Sequence, residues 1–281
     1  MEPHHLTPED LDRYLGRLRA EERSAATLEK YTRDLRKFYL FLPAEKLVDK
    51  EAVLAYKQAL AAAYRPASVN SMLVALNTLL AYLGWGECRV RLFRLQRQTF
   101  SSGERELRKE EYLRLLAAAR RGGDERLCLV LQTICATGIR VSELRFITAE
   151  AVRGGSARVD CKGKLRVIWL PRQLRALLAA YCRRMGVRSG SVFRTRGGRP
   201  LDRSNLWAQM KKLCAAARVA PGKVFPHNLR HLFARTYYRA QKDIVRLADL
   251  LGHSSLETTR IYTLSSGAEQ QRQIDRLGLV V

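Results

Sequence analysis

Proline and glycine cut the first ~95 residues into four stretches, and each stretch repeats its apolar residues at helical spacing. Thr7 opens TPEDLDRYLGRLRAEE, where Asp10 supplies the acid of a capping box and Leu11, Leu15 and Leu18 share one face. Ser24 opens SAATLEKYTRDLRKFYLFL, in which Leu28, Tyr31, Leu35, Phe38 and Leu42 keep the period as far as Pro43. DKEAVLAYKQALAAAY stops before Pro66, and PASVNSMLVALNTLLAYLG runs from that proline to Gly84, with proline at the start and glycine at the end as helices prefer. Helices of this length and amphipathicity predict one small four-helix bundle over residues 1–96. His4 and His5 belong to no motif and read as a flexible terminus.

The period then fails. RVRLFRLQRQTFSSGERE alternates briefly and turns polar around Ser101, Ser102 and Gly103, which places a linker at 97–106. Residues 107–281 read as a second, mixed domain. RKEEYLRLLAAARR and ERLCLVLQTICATG are helical, and VSELRFI is a short helix. Two short strands, 157–161 and 165–170, flank a Lys-Gly turn. Further helices follow from Pro171 to Met185, Ser204 to Arg218, His227 to Ala240, Ile244 to Leu251 and Leu256 to Thr263, with a last one in the tail. The fold class is mostly α, with a small antiparallel β-sheet inside the second domain.

With 51 Lys plus Arg against 27 Asp plus Glu, the formal charge is +24. Neutralising phosphates releases counterions, so nucleic acid is the first partner such a surface suggests. Charge alone does not separate an enzyme acting on DNA from a ribosome-binding protein. No apolar run approaches a membrane span, and MEPHHLTPEDLD is too polar for a secretory signal, so the expectation is a cytoplasmic protein without membrane contact. The cysteines Cys88, Cys128, Cys135, Cys161, Cys182 and Cys214 form no CxxC pair and read as buried free thiols rather than metal ligands.

Three segments carry groups that could act on phosphate. In TGIRVSEL, Gly138 ends a helix, and Arg140 and Glu143 stand three apart, close enough for the carboxylate to orient the guanidinium. Alone this is a common surface ion pair. In PHNLRH, Pro226 starts a helix whose first turns carry His227 and Arg230 on one face, near backbone donors that favour an anion. Alone, a capping role is as good a reading. In LGHSSLETTRIY, His253 follows Gly252 and Tyr262 lies nine residues on. A phenol attacks phosphorus only where a base or a cationic site favours its phenolate, and a lone tyrosine is usually core or surface.

Together and in this order, ATGIRVSEL, CKGKLRV, HNLRHLFA and LGHSSLETTRIYT make the chain resemble the tyrosine recombinase (phage integrase, Xer-like) family. The four motifs span the second domain, and the helical first part is similar to the family's SAM-like core-binding domain. The resemblance implies that Tyr262 is the nucleophile forming a 3′-phosphotyrosyl link and that Arg140 and Arg230 clamp the scissile phosphate. It implies that His227 serves as base or phosphate ligand, that His253 hydrogen-bonds the phosphate and that Glu143 supports the first arginine. Lys162 matches the hairpin lysine that protonates the leaving 5′-oxygen. Relatives often read Gly-Lys-Gly-Asn-Lys there; Cys161-Lys162-Gly163-Lys164 is one residue shorter, and Lys162, at the strand end, is preferred over Lys164. His231 lies in the motif but reads as structural.

The implied activity is site-specific DNA recombination. A phosphotyrosyl ester conserves the bond energy, so strands are cut and rejoined without ATP. No acidic cluster suggests a two-metal site, so no cofactor or metal is expected and cationic side chains take over its charge. The expected partners are double-stranded DNA and further copies of the chain, as a tetramer on two synapsed sites, with an accessory or partner recombinase left open. A tail helix near 267–279, with Ile274, Leu277 and Leu279 on one face, resembles the helix exchanged between subunits. The compact length is closer to Xer-like or transposon-encoded enzymes than to large phage integrases. Two other readings stand beside this one: a non-cutting DNA-binding protein of the same fold, and a type IB topoisomerase-like enzyme.

Overall fold

The computed structural model describes residues 3–95, 106–161, 164–195, 197–201, 203–253, 255–262, 271 and 275–276. The chain divides into two compact units, Met1–Arg97 and Gln98–Val281.

The first unit holds the helices α1 (Pro8–Ala20), α2 (Ala25–Phe41), α3 (Lys50–Ala63) and α4 (Pro66–Tyr82). Their starts follow from local chemistry. Thr7 Oγ1 accepts from the Asp10 N–H at 3.2 Å while the Thr7 N–H donates to the Asp10 carboxylate at 3.0 Å, which satisfies two otherwise orphaned donors of α1. Ser24 and Asp49 cap α2 and α3 through their side chains, and Pro66 opens α4. One apolar stripe of each helix meets in a common core that includes Leu11, Leu15, Phe38, Leu60, Leu73 and Leu76. His4 and His5 are paired rather than flexible. His4–His5 forms β1, antiparallel to β2 (Leu47–Val48), and the His4 ring stacks on Trp85 at 4.7 Å and meets Glu87 at 2.7 Å. Fully buried Leu6, whose N–H donates to the Lys46 carbonyl, anchors this segment, and a pair of residues carries no period to announce it.

The second unit is mainly helical around one hairpin. Its elements are α5 (Lys109–Arg121), α6 (Glu125–Thr137), a 3-10 segment Val141–Phe146, α7 (Ala149–Gly154), β3 (Ser156–Cys161), β4 (Lys164–Trp169), α8 (Arg172–Arg184), α9 (Arg203–Ala217), α10 (Pro226–Gln241), α11 (Ile244–Leu251) and α12 (Leu256–Arg260). The six residues of α7 are an addition that their length hid from the periodicity. β3 and β4 pair antiparallel from Ser156↔Trp169 to Cys161↔Lys164. α6 packs on α10 and α5 on α9, around a core containing Leu115, Leu131, Ile134, Leu178, Met210 and Leu229. A smaller cluster joins Ala234, Leu247, Leu251 and Tyr262. Thus the class is mostly α with small antiparallel sheets, one more sheet than the sequence suggested.

Cys88, Cys128, Cys182 and Cys214 are buried and free, as expected, and Cys135 is half-buried. Among the described residues no helix is long and apolar enough to cross a membrane. The linker positions 97–105 and most of the tail near 267–279 lie outside the described residues, as does Lys162.

Candidate active site

Gly138 closes α6 in the left-handed conformation (φ 65°), and a Cβ there would stand 2.5 Å from the Phe233 ring. Only glycine satisfies both conditions. The tight exit delivers Arg140 to the start of the 3-10 segment. The Arg140 N–H donates to Glu143 Oε2 at 2.8 Å, its Nη1 to Oε1 at 2.9 Å and its Nη2 to the Gly252 carbonyl at 3.4 Å. Burial alone would raise the Glu143 carboxyl, but the Arg140 N–H and the guanidiniums of Arg166 and Arg140 hold it below the ordinary carboxylate value.

Pro226 begins α10, which carries His227, Arg230 and His231 in its first two turns. Arg230 is fully buried. Its Nη1 donates to the Gly138 carbonyl, and its Nη2 to the Leu251 carbonyl at 2.7 Å, with His253 Nε2 at 3.0 Å. Burial, with Arg140 and Arg166 nearby, lowers its pKa to about 10, so it stays charged at neutral pH. A guanidinium only donates, so His253 Nε2 is an acceptor; the ring proton then sits on Nδ1 and is given to Thr259 Oγ1 at 2.8 Å. Thr259 is buried and lies inside the motif LGHSSLETTRIYT, but its pairing with His253 shows only in the fold.

Tyr262 is 5% exposed. Its ring lies 6.2 Å from His253, nearly parallel, and meets His231 edge-on at 5.0 Å; His231 in turn touches His227 at 4.4 Å. Burial raises the Tyr262 phenol, an effect that Arg230 opposes. Burial also lowers the three imidazoles. His231 and His253 fall to about 4, and His227 falls below its ordinary value, with Arg230 and Arg140 adding to the effect. At neutral pH the site therefore holds fixed guanidinium charge beside neutral imidazoles and a neutral phenol. Such a set can bind a phosphate oxyanion and still accept a proton.

Arg140, His227 and Arg230 line a cavity of about 1110 Å³ together with Arg145, Arg203 and Trp207. Tyr262 and His253 join through Arg230 and the ring contacts rather than through that lining. The structure thus brings together Arg140, Glu143, His227, Arg230, His253 and Tyr262. Among the described residues, the one group of donors spaced to hold a metal is His4, Glu87 and Cys88 in the first unit, where His4 and Glu87 already pair.

A second site residue, besides Thr259, has a role that its motif does not announce. Arg166, on β4, donates through Nη1 to the Leu250 carbonyl at 2.5 Å and through Nη2 to Glu143 Oε2. A signal for it existed: β4 alternates, yet Leu165 (78% exposed) and Trp169 (68%) face out while Arg166 faces in beside Ile168. An arginine at an inward register among outward apolar residues needs a partner inside.

Known proteins share this organisation. The phage integrase N-terminal SAM-like model matches residues 7–87 and the phage integrase family model matches 105–269. Tyrosine recombinase XerA of Pyrococcus furiosus is 29% identical over 98% of this chain and 96% of its own length. Tyrosine recombinase XerD of Xanthomonas campestris is 39% identical over 48% of this chain, so the match spans about half (46%) of that relative. A crystal structure of a lambda integrase tetramer bound to a Holliday junction superposes with a TM-score of 0.72 at 19% identity, over 90% of this chain and 76% of that one. With its catalytic-type motifs in order and more than half its length matched by the family model, the chain belongs to the phage integrase family, the tyrosine recombinases.

Proposed function

We propose that this protein is a site-specific DNA recombinase that cuts and rejoins strands through a 3′-phosphotyrosyl intermediate. The observation that carries the reading is the convergence of Arg140, Arg230, His253 and Tyr262, with both guanidiniums already held by backbone carbonyls. In the step proposed, Tyr262 Oη attacks the scissile phosphorus and its proton passes to the neutral His227 imidazole. The 5′-oxygen leaves with a proton from Lys162. Arg140 and Arg230 hold the non-bridging oxygens, whose charge grows in the pentavalent transition state, and Glu143 steadies Arg140. For His253 to give a hydrogen bond from Nε2 when phosphate arrives, that nitrogen releases Arg230 and gains a proton, either a second ring proton or the one now on Nδ1, because its lone pair is engaged.

The tetramer in the lambda integrase structure supports assembly of four copies on two synapsed duplexes, with residues 97–106 linking a core-binding domain to the catalytic one and the tail docking on a neighbour. Chromosome-dimer resolution and movement of a mobile element both fit this reading. The test is to mix protein with fragmented host DNA in EDTA, stop with SDS and recover covalent adducts. Adducts that share one sequence and vanish in Tyr262→Phe are expected. Adducts at scattered sequences favour a topoisomerase-like enzyme. DNA binding with no adduct, even on a nicked suicide duplex of the bound sequence, favours a non-cutting protein of the same fold, a reading in keeping with the burial of Tyr262.

A further inference from the structure

Three arginines from three different elements converge on one helix end. The carbonyls of Leu250, Leu251 and Gly252 accept from Arg166, Arg230 and Arg140 respectively. The last carbonyls of a helix lack partners within it and form the negative end of its dipole, so the C-terminus of α11 is a natural seat for cations. Two of the three have roles in the reading above; Arg166 has none. Its side chain is 11% exposed, both its terminal nitrogens are engaged, and it does not line the cavity. Unlike Arg140 and Arg230 it stands outside that lining, which places it behind the clamp rather than in it.

The buried Glu143 carboxylate is where Arg166 acts. Oε1 accepts from Arg140 Nη1, while Oε2 is shared between the Arg140 N–H and Arg166 Nη2. Arg140 is 39% exposed at its side chain, so its own anchorage is partial. Gly252 completes the arrangement: it is left-handed (φ 63°), and a Cβ on it would stand 2.7 Å from Arg166 Cδ. The arginine stem passes where any other residue would put a side chain.

We infer that Arg166 is a positioning residue of the phosphate clamp, holding Glu143, and through it Arg140, against the carbonyl end of α11. The inference deepens the recombinase reading and rests on it. Without Arg166, Oε2 keeps only the Arg140 backbone N–H and the buried carboxylate loses the second of its two cations, so Arg140 loses the fixed direction that makes it useful in the transition state.

The test uses the full-length protein and a nicked suicide duplex of the sequence recovered from wild-type adducts. One version carries an ordinary scissile phosphodiester and the other a methylphosphonate, which lacks one charged oxygen and so needs the clamp less. Arg166→Gln is expected to slow single-turnover cleavage of the phosphodiester on the order of 10²-fold, the cost of a small misplacement of a reacting group. The loss should shrink on the methylphosphonate, and Arg166→Lys should recover part of the rate. Arg166→Gln combined with Glu143→Gln should lose no more than the worse single variant, since both act through one path. In a crystal structure of Arg166→Gln, Arg140 should leave the Gly252 carbonyl. Equal losses on the two substrates, full additivity, or an unmoved Arg140 overturns the inference. If Arg166→Gln does not fold, Arg166→Lys carries the same comparison. Absence of a wild-type adduct speaks against the recombinase reading instead, and the crystal structure still decides where Arg140 goes.

Discussion

The two units bury different things. The interior of the first is apolar, and the two buried acids among its described residues are paired locally: Asp10 in the capping box of α1, and Asp34 with Lys30 at 2.6 Å one turn away. The interior of the second contains Arg230, Glu143, Asn228 and Thr259. Burying an ion is unfavourable unless it is paired and hydrogen-bonded, and the partners here come from residues 92 and 23 positions apart. A core of the first kind stabilises a shape. One of the second kind holds charges and dipoles in fixed directions before a substrate arrives, as stabilising a developing oxyanion requires.

The contrast can be broken at either end. Arg230→Lys removes the fork onto Gly138, Leu251 and His253; single-turnover cleavage should fall on the order of 10³-fold, with the melting of the first unit unchanged in calorimetry. Conversely, Phe38→Ala opens a cavity in the apolar core and should destabilise the first unit by about 3–5 kcal/mol, leaving the transition of the second in place. An equal shift of both transitions would show that the units do not differ in this way.

Acid should separate them next. Folded His231 and His253 resist protonation until about pH 4, whereas in the unfolded chain they take up protons near 6.5. The second unit should therefore lose stability progressively as pH falls from 6.5 to 4. In the first unit, burial works against the Asp10 carboxylate, but Thr7 and Arg13 hold it below its ordinary 3.8, so its contribution persists until the pH drops below that value. Thermal melts across this range should show the second unit failing first. The smallest effect is Thr7→Ala, which removes the α1 cap and should lower the melting of the first unit by about 1 kcal/mol without touching cleavage.

The first unit was legible in its sequence because helical period and capping are local. Thr7, Ser24, Pro66 and Gly84 mark ends that the fold uses, while the paired strands His4–His5 and Leu47–Val48 and the 3-10 turn Gly86–Cys88 are too short to show a period. The site was legible where a motif carries it: Arg140 with Glu143 at three residues, Arg230 on the first turns of α10, His253 after a left-handed glycine. Arg166 and Thr259 lie within the motifs CKGKLRV and LGHSSLETTRIYT, but their parts in the site were not legible there, because each acts through a contact that only the fold makes. Glu143 is 23 residues before Arg166, and only the fold brings β4 beside the end of α11. The need for glycine at 138 is likewise written in Phe233, on another helix.

The central claim is that Tyr262 is the group that takes the DNA. Adducts trapped on the suicide duplex can be digested with nuclease and trypsin, and the peptide of residues 261–272 examined by mass spectrometry. A nucleotide remnant esterified to Tyr262 through its 3′-phosphate is the predicted result. A remnant on any other residue, or on a 5′-phosphate, would contradict the account.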